Sequence, residues 1–120
     1  EPPSMIRIPE GKDRSAMVSE SALKENDPLC MEALRLFSEI YGAEAGNLAL
    51  KSMSLGGLYI GGGIAPKILP VLLDGHFVKG FLSKGRFNAL LEQMEILVSL
   101  EPDTALIGAA HYAKDRLLSI

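Results

Sequence analysis

The stretch LYIGGGIAP, at residues 58–66, restricts the possible folds of this 120-residue chain more than any other. Its first residues read as a short strand, glycine occupies positions 61, 62 and 63, and Pro66 suits the start of a helix. A second apolar run, EILVSL at residues 95–100, follows a helical region. Because a strand, a helical crossover and another strand favour parallel pairing, the sequence predicts an α/β fold with strands at about 58–60 and 95–100, flanked by helices.

Helical patterns precede this strand pair. The segment from Asp13 to Lys24 is modestly amphipathic. Asp27 and Pro28 then form a good start for a longer helix. Its apolar stripe is predicted at Leu34, Phe37, Tyr41, Ala45 and Leu48, and small residues run beside it at Gly42, Gly46 and Ala49. Since glycine weakens a helix, these small residues predict close packing against a neighbouring helix.

Further helices are predicted after the first strand. One runs from about Pro66 to Leu73, with Pro70 limiting its regularity, and short helical pieces broken by glycine follow it. Asp103 is predicted to cap a last helix. The buried side of that helix is predicted to carry Leu106, Ile107, Ala110, Leu117 and Leu118.

The predicted sheet is too small to be stable alone, so we expect it to be the edge of a larger one. Residues 1–12 hold three prolines and read as an extended lead-in. The chain begins Glu-Pro-Pro rather than with methionine, which favours a piece of a longer protein.

Composition restricts the partners and the compartment. The net charge is −3 with both signs interspersed, and tryptophan is absent, so neither a phosphate-backbone surface nor a base-stacking platform for nucleic acid is expected. No apolar run approaches the roughly 20 residues that span a bilayer. The single cysteine, Cys30, fits a reducing compartment. We therefore expect a soluble cytoplasmic protein that binds neither nucleic acid nor membrane.

The glycine turn (residues 61–63) is the strongest candidate for a binding function. A Rossmann dinucleotide site is disfavoured because Pro66 stands where the third glycine of its fingerprint belongs. A Walker phosphate loop is excluded because no Gly-Lys-Ser/Thr occurs. Spacing alone leaves two interpretations of the turn. It is either a tight structural corner or a turn that contacts a ligand at the carboxyl end of a strand.

Other residue types offer no convincing catalytic or metal site. His76 and His111 are far apart, and neither has partners at metal-ligand spacing. Cys30 lies in the first turn of the long helix without a nearby base, which favours a buried apolar role. The carboxylates Glu92, Glu95, Glu101 and Asp103 read as solvated or capping groups. No catalytic or metal-ligating residue is predicted in this chain.

Several motifs in one order resemble a known family. From Asp27 to Ala113 the chain carries GNLAL, GGLYIGGGIAP, KGRF and LIGAA. In this order and spacing they are similar to the carboxyl-terminal part of bacterial ATP-dependent glucokinases, which belong to the actin-like (ribonuclease H-like) ATPase superfamily. The resemblance implies that residues 27–120 are the carboxyl-terminal part of a glucokinase large domain, preceded by a lead-in and first helix at residues 1–26.

The resemblance also implies a function. Gly62, Gly63 and Ile64 match the family's adenosine motif, where backbone packs against the nucleoside of ATP or ADP, although Gly61 replaces a frequent alanine. KGRF and LIGAA look like scaffold that packs the sheet. The implied reaction is phosphorylation of D-glucose by ATP with magnesium. The catalytic base, the glucose contacts and the magnesium contacts would lie upstream, so the isolated chain is expected to be inactive. Because members of the family are commonly dimeric, the resemblance also implies a homodimer.

Alternative functions stay open at the sequence level. Another sugar kinase of the same superfamily stays open because the family resemblance implies that sugar specificity is set upstream, although GNLAL and KGRF favour glucokinase. The chain would also suit a non-catalytic interaction module in which the glycine turn is a structural corner.

Overall fold

The computed structural model describes residues 10–119. Its helices are α1 (Arg14–Glu25), α2 (Pro28–Ser52), α3 (Ile64–Lys67), α4 (Leu69–Leu72), α5 (His76–Leu82), α6 (Asn88–Leu91) and α7 (Thr104–Leu118). The strands are β1 (Leu58–Ile60) and β2 (Ile96–Val98), and a 3₁₀ turn spans Gly85–Phe87. Residues 1–9 of the predicted lead-in lie outside the described part of the chain.

Aspartate caps begin the first two helices. The Asp13 carboxylate accepts a hydrogen bond from the Ser15 N–H at 3.0 Å at the start of α1. The Asp27 carboxylate accepts from the N–H groups of Leu29 and Cys30, each at 3.0 Å, so the predicted start of α2 is confirmed. Such caps stabilise a helix by roughly 1 kcal/mol because they satisfy amide groups that have no partner inside the helix.

The α2 and α5 helices cross at very short distance. A Cβ atom placed on Gly46 would lie 2.6 Å from the Phe81 carbonyl oxygen, and one on Gly42 would overlap the carbonyl of Phe77. On the opposite helix, a Cβ on Gly80 would overlap the Glu39 carbonyl. The close packing predicted for Gly42 and Gly46 is confirmed, because only glycine allows the two backbones to approach this closely.

The buried face of α2 differs from the predicted stripe. Buried positions on this helix are Cys30, Leu34, Ser38, Gly42, Gly46 and Ala49. Phe37 and Leu48 are exposed, so their predicted place in the core is wrong. The reason is the short helix crossing: the line of small residues faces α5, which turns the larger apolar side chains towards the flanks and the surface.

The strands pair in parallel, as predicted, with Leu58 opposite Ile96 and Ile60 opposite Val98. The Leu58 N–H donates to the Glu95 carbonyl and the Ser99 N–H donates to the Ile60 carbonyl, each at 2.8 Å. Within residues 10–119 these strands form a two-stranded sheet. The core of the molecule lies mainly between the helices, where Phe77, Phe81 and Leu91 are almost completely buried.

The segment after the glycine turn is helical from an earlier residue than predicted. The predicted helix from about Pro66 to Leu73 begins at Ile64 and is interrupted at Ile68, whose backbone (φ −110°, ψ 17°) lies outside the helical range. Pro70 follows within the next turn and donates no backbone hydrogen bond, which explains why α3 and α4 are separate short helices.

The final helix forms where predicted but is not packed as predicted. No residue of Thr104–Leu118 is buried, so the buried side assigned to Leu106, Ile107, Ala110, Leu117 and Leu118 is wrong for this chain, as is a scaffold role against the sheet. The side chain of Asp103 accepts no capping hydrogen bond either. The physical reason is that β1 and β2, three residues each, offer too small a surface to receive this helix.

Candidate nucleotide-binding turn

The glycine turn lies at the carboxyl end of β1, beside the carboxyl end of β2. Ile60 ends β1, residues 61–63 follow, and Ile64 begins α3. Gly62 has a left-handed backbone (φ +97°), which favours glycine, whereas Gly63 has ordinary helical angles (φ −83°, ψ −17°). The structure therefore brings Gly62, Gly63 and Ile64 together on an exposed turn.

Nothing inside the described chain requires glycine at positions 61 and 63. A Cβ atom on either residue would meet no atom of the described chain within 4 Å, and neither has a positive φ. The contrast is with Gly42, Gly46 and Gly80, where an added Cβ would strike neighbouring backbone. A turn that merely rounded a corner would need glycine at Gly62 alone. Residues 61–63 therefore leave open space beside the turn at the carboxyl end of β1.

A cleft of about 730 Å³ adjoins this turn. It lies between α1, α2 and the start of α3, and Ile64 and Lys67 form the side that continues from the glycine turn. Ile64 is 58% exposed, so its side chain is available at the mouth of the cleft. Clefts of this size are typical of small-molecule sites.

Comparisons with known proteins agree with the motifs. A family model described as glucokinase matches residues 4–116. A glucokinase from Nostoc punctiforme is 51% identical over 98 residues, which cover 82% of this chain and 29% of that protein. A glucokinase from Synechocystis sp. is also 51% identical, over 82% of this chain and 28% of that protein.

The chain belongs to the glucokinase family. A solved structure, the crystal structure of glucokinase from an Antarctic psychrotroph, is similar to the fold with a TM-score of 0.70 and 38% sequence identity. The match covers 80% of this chain and 30% of that one. The predicted fold class, a helix-rich part of an actin-like ATPase domain with a parallel strand pair, is thereby confirmed. The chain spans about 29% of the length of the curated relatives it matches.

Two of the glucokinase-like motifs contact each other. Lys84 of KGRF donates from Nζ to the Asn47 side-chain oxygen of GNLAL at 2.6 Å. Its backbone N–H donates to the Asn88 side chain at 2.9 Å. The first bond attaches the loop after α5 to α2, and the second attaches it to the start of α6; neither involves the glycine turn, which agrees with a scaffold role for KGRF.

A cluster of titratable groups lies outside the turn. Asp74 accepts hydrogen bonds from the His76 N–H at 3.0 Å and lies 2.8 Å from the His76 ring nitrogen Nδ1, and Arg35 lies 3.5 Å from its other oxygen. Partial burial alone would raise the pKa of Asp74, but the bonds from His76 and the charge of Arg35 outweigh it and lower that pKa. Sequence reasoning missed this pair because it sought metal-ligand spacing.

The described residues offer no metal centre or membrane span. Across residues 10–119 no three His, Cys, Asp or Glu side chains lie close enough together to hold a metal ion. None of the helices in this range is long and apolar enough to cross a membrane. Cys30 is buried beneath the first turn of α2.

Sequence reasoning also missed the residues that line the cleft. The sequence places Phe37 in the apolar stripe of α2, and it predicts α1 only as a modestly amphipathic helix. The structure instead brings Phe37 of α2 and Leu23 and Ser19 of α1 to the lining of the cleft. The place of Phe37 at the edge of the apolar stripe was the available signal.

Proposed function

We propose that this chain is the carboxyl-terminal segment of a glucokinase that phosphorylates D-glucose with ATP, giving glucose 6-phosphate and ADP. The observation that carries the proposal is the open glycine turn: residues 61 and 63 are glycine without any internal need, at the carboxyl end of a parallel strand, in a chain of the glucokinase family. Ligands approach open α/β sheets at this end of the strands.

The proposed role of the turn is contact with the adenosine part of ATP or ADP. Gly62, Gly63 and Ile64 supply backbone and one apolar side chain, and a Cβ at position 63 would hold the nucleoside away from the main chain. The turn carries no acid, base or nucleophile, so it positions the nucleotide without taking part in the chemistry. Positioning is a large part of phosphoryl transfer.

The catalytic base, the glucose contacts and the magnesium ligands are proposed to lie in the part of a full-length glucokinase that this chain does not span. Magnesium prefers carboxylate and phosphate oxygens, and the described residues hold no group of three such ligands. The same proposal divides the chain into two parts. Residues 1–26 are the lead-in and first helix, and residues 27–120 are the carboxyl-terminal part of the large domain.

Calorimetric titration of ADP, together with a glucose phosphorylation assay, tests the proposal. We expect the chain to release heat on binding ADP at millimolar concentration and to form no glucose 6-phosphate by itself. A full-length relative that carries this segment would phosphorylate glucose. Absence of ADP binding would favour the interaction module instead, and phosphorylation of a different sugar by the full-length protein would favour another sugar kinase.

We further propose that the parent enzyme is a homodimer and that the outer face of α2 forms the interface. Leu29, Leu36 and Ile40 lie on this outer face, opposite the buried line of small residues, and each is more than half exposed. Exposed apolar stripes of this kind commonly mark interaction surfaces.

A further inference from the structure

The cleft beside the glycine turn has a mixed chemical character. Its apolar wall consists of Val18, Leu23, Leu34, Phe37, Ile64 and Ile68. Its rim carries Asp13, Ser15, Ser19, Glu20, Lys24 and Lys67. A ligand suited to such a lining combines an apolar body with polar atoms on its edge, and a nucleobase is one such group.

Phe37 is the aromatic residue of the cleft wall. Its side chain is 43% exposed although it lies among apolar neighbours, so part of the ring faces the open space. Aromatic rings with an exposed face bind nucleobases by stacking, and base preferences at such a ring come from differences in stacking strength.

The Phe37 ring is the first of three aromatic rings that pack in a row. Its centroid lies 5.8 Å from that of Tyr41, with the rings tilted by 50°. Tyr41 in turn packs edge-on against Phe77 at 5.5 Å, and Phe77 is only 2% exposed. This row connects the cleft wall to the core at the α2–α5 crossing, so Phe37 has a packed neighbour on one side and open space on another.

The cleft is continuous with the glycine turn. Ile64 follows Gly63 directly and lines the cleft, and Lys67 and Ile68 line it one turn further along the chain. A nucleotide whose ribose lies over the turn has this cleft within reach of its base. Phe37, on α2, lies on the wall of the same cleft.

We propose that Phe37 is the residue on which the purine base of the bound nucleotide stacks, and that it gives this site its preference for purine over pyrimidine nucleotides. The inference rests on the proposed function, because it takes the glycine turn as the ribose contact. It goes further by assigning base recognition to a residue of α2. That residue lies outside the adenosine motif at Gly62, Gly63 and Ile64. A purine presents a larger stacking surface to Phe37 than a pyrimidine does.

Calorimetric titrations of ADP and UDP against the chain and its Phe37 variants test this inference. We expect wild type to bind ADP more tightly than UDP. Phe37→Ala should weaken ADP binding by about 5- to 100-fold and bring the ADP/UDP affinity ratio close to one. Phe37→Leu keeps most of the apolar volume without the ring and should lower the same ratio. It supplies the measurement if Phe37→Ala does not fold. Phe37→Tyr should restore the ratio.

Leu48→Ala is the matched control, since Leu48 is an exposed apolar residue of α2 that does not line the cleft. It should leave both affinities and their ratio unchanged. An unchanged ADP/UDP ratio in Phe37→Ala and Phe37→Leu would overturn the inference, whether both affinities stay or fall together. If those variants bind ADP like wild type while Gly63→Val does not, only the inference fails. If wild type itself binds no ADP, the proposed function fails first.

Discussion

Glycine serves distinct purposes at different positions in this chain. Gly80 and Gly42 are required because a side chain would strike the backbone of a facing helix, and Gly62 is required by its positive φ. Gly61 and Gly63 are required by neither, among the described residues. At the residue scale, this difference separates glycines that the fold requires from glycines that it does not require, and the proposed nucleotide contact concerns the second group.

The residue assignments from sequence were correct where local chemistry decides the outcome. Asp27 is the cap of α2, and Gly42 and Gly46 pack closely, because each depends on near neighbours or on a missing side chain. Gly62, Gly63 and Ile64 came from motif resemblance, and their contact with nucleotide stays a prediction. Phe37 was misplaced because its exposure depends on how α1, α2 and α3 meet, which no local pattern records.

Asp74→Asn tests the contribution of the surface cluster. The folded pKa of Asp74 lies below its ordinary value of 3.8, so its stabilising effect is present above about pH 4 and is lost as the pH falls through the folded pKa. Because the group is largely solvated, we expect the variant to lose less than about 1 kcal/mol at pH 7. Urea unfolding at pH 7 and pH 3 measures this. A cost that is equal or larger at pH 3 would contradict the assignment.

At the scale of elements, the sequence predicted the existence of helices and strands better than their packing faces. The Asp27 cap, the strand at Leu58–Ile60 and the second strand near Ile96–Val98 follow from short-range patterns, whereas the predicted Asp103 cap does not form. The buried face of α2 does not follow from such patterns, because hydrophobic periodicity gives more weight to the larger side chains. The short crossing with α5 instead selected the line of small residues, and this depends on a contact between segments more than thirty residues apart, as between Gly42 and Phe77.

Gly80→Ala tests the helix crossing. The added methyl group would overlap the Glu39 carbonyl, so we expect a loss of about 1–3 kcal/mol or more in the free energy of unfolding. Gly108→Ala in α7 is the matched control, since a Cβ there meets no described atom within 4 Å. It should be neutral or stabilising by up to about 1 kcal/mol. Denaturant unfolding compares them, and equal effects would disprove the tight crossing.

At the scale of the whole molecule, the chain exposes more apolar surface than its own elements can cover. The α7 helix is exposed on all sides, and Tyr59 of β1 is 76% exposed. The sequence pattern does show an apolar side on α7. It does not show that residues 10–119 provide no surface on which that side packs. A chain that spans about 29% of its glucokinase relatives is expected to leave such surfaces open.

Sedimentation equilibrium tests the proposed dimer at this same scale. We expect wild type to associate and Leu36→Asp to shift it towards monomer, because a carboxylate cannot be buried without a partner. Leu106→Asp, on the exposed α7 helix, is the control and should leave the association constant unchanged. An effect of Leu106→Asp equal to that of Leu36→Asp, or a monomeric wild type, would contradict an interface on α2.

The most direct test of the central claim is the ADP affinity of a pair of valine variants. Gly63→Val adds a side chain over the glycine turn, and Gly56→Val adds the same side chain before β1, where a Cβ also meets no described atom within 4 Å. Both should fold like wild type. We predict that Gly63→Val weakens ADP binding at least tenfold while Gly56→Val binds ADP like wild type. Equal ADP affinity in the two variants would show that the open glycine turn is not where the nucleotide binds.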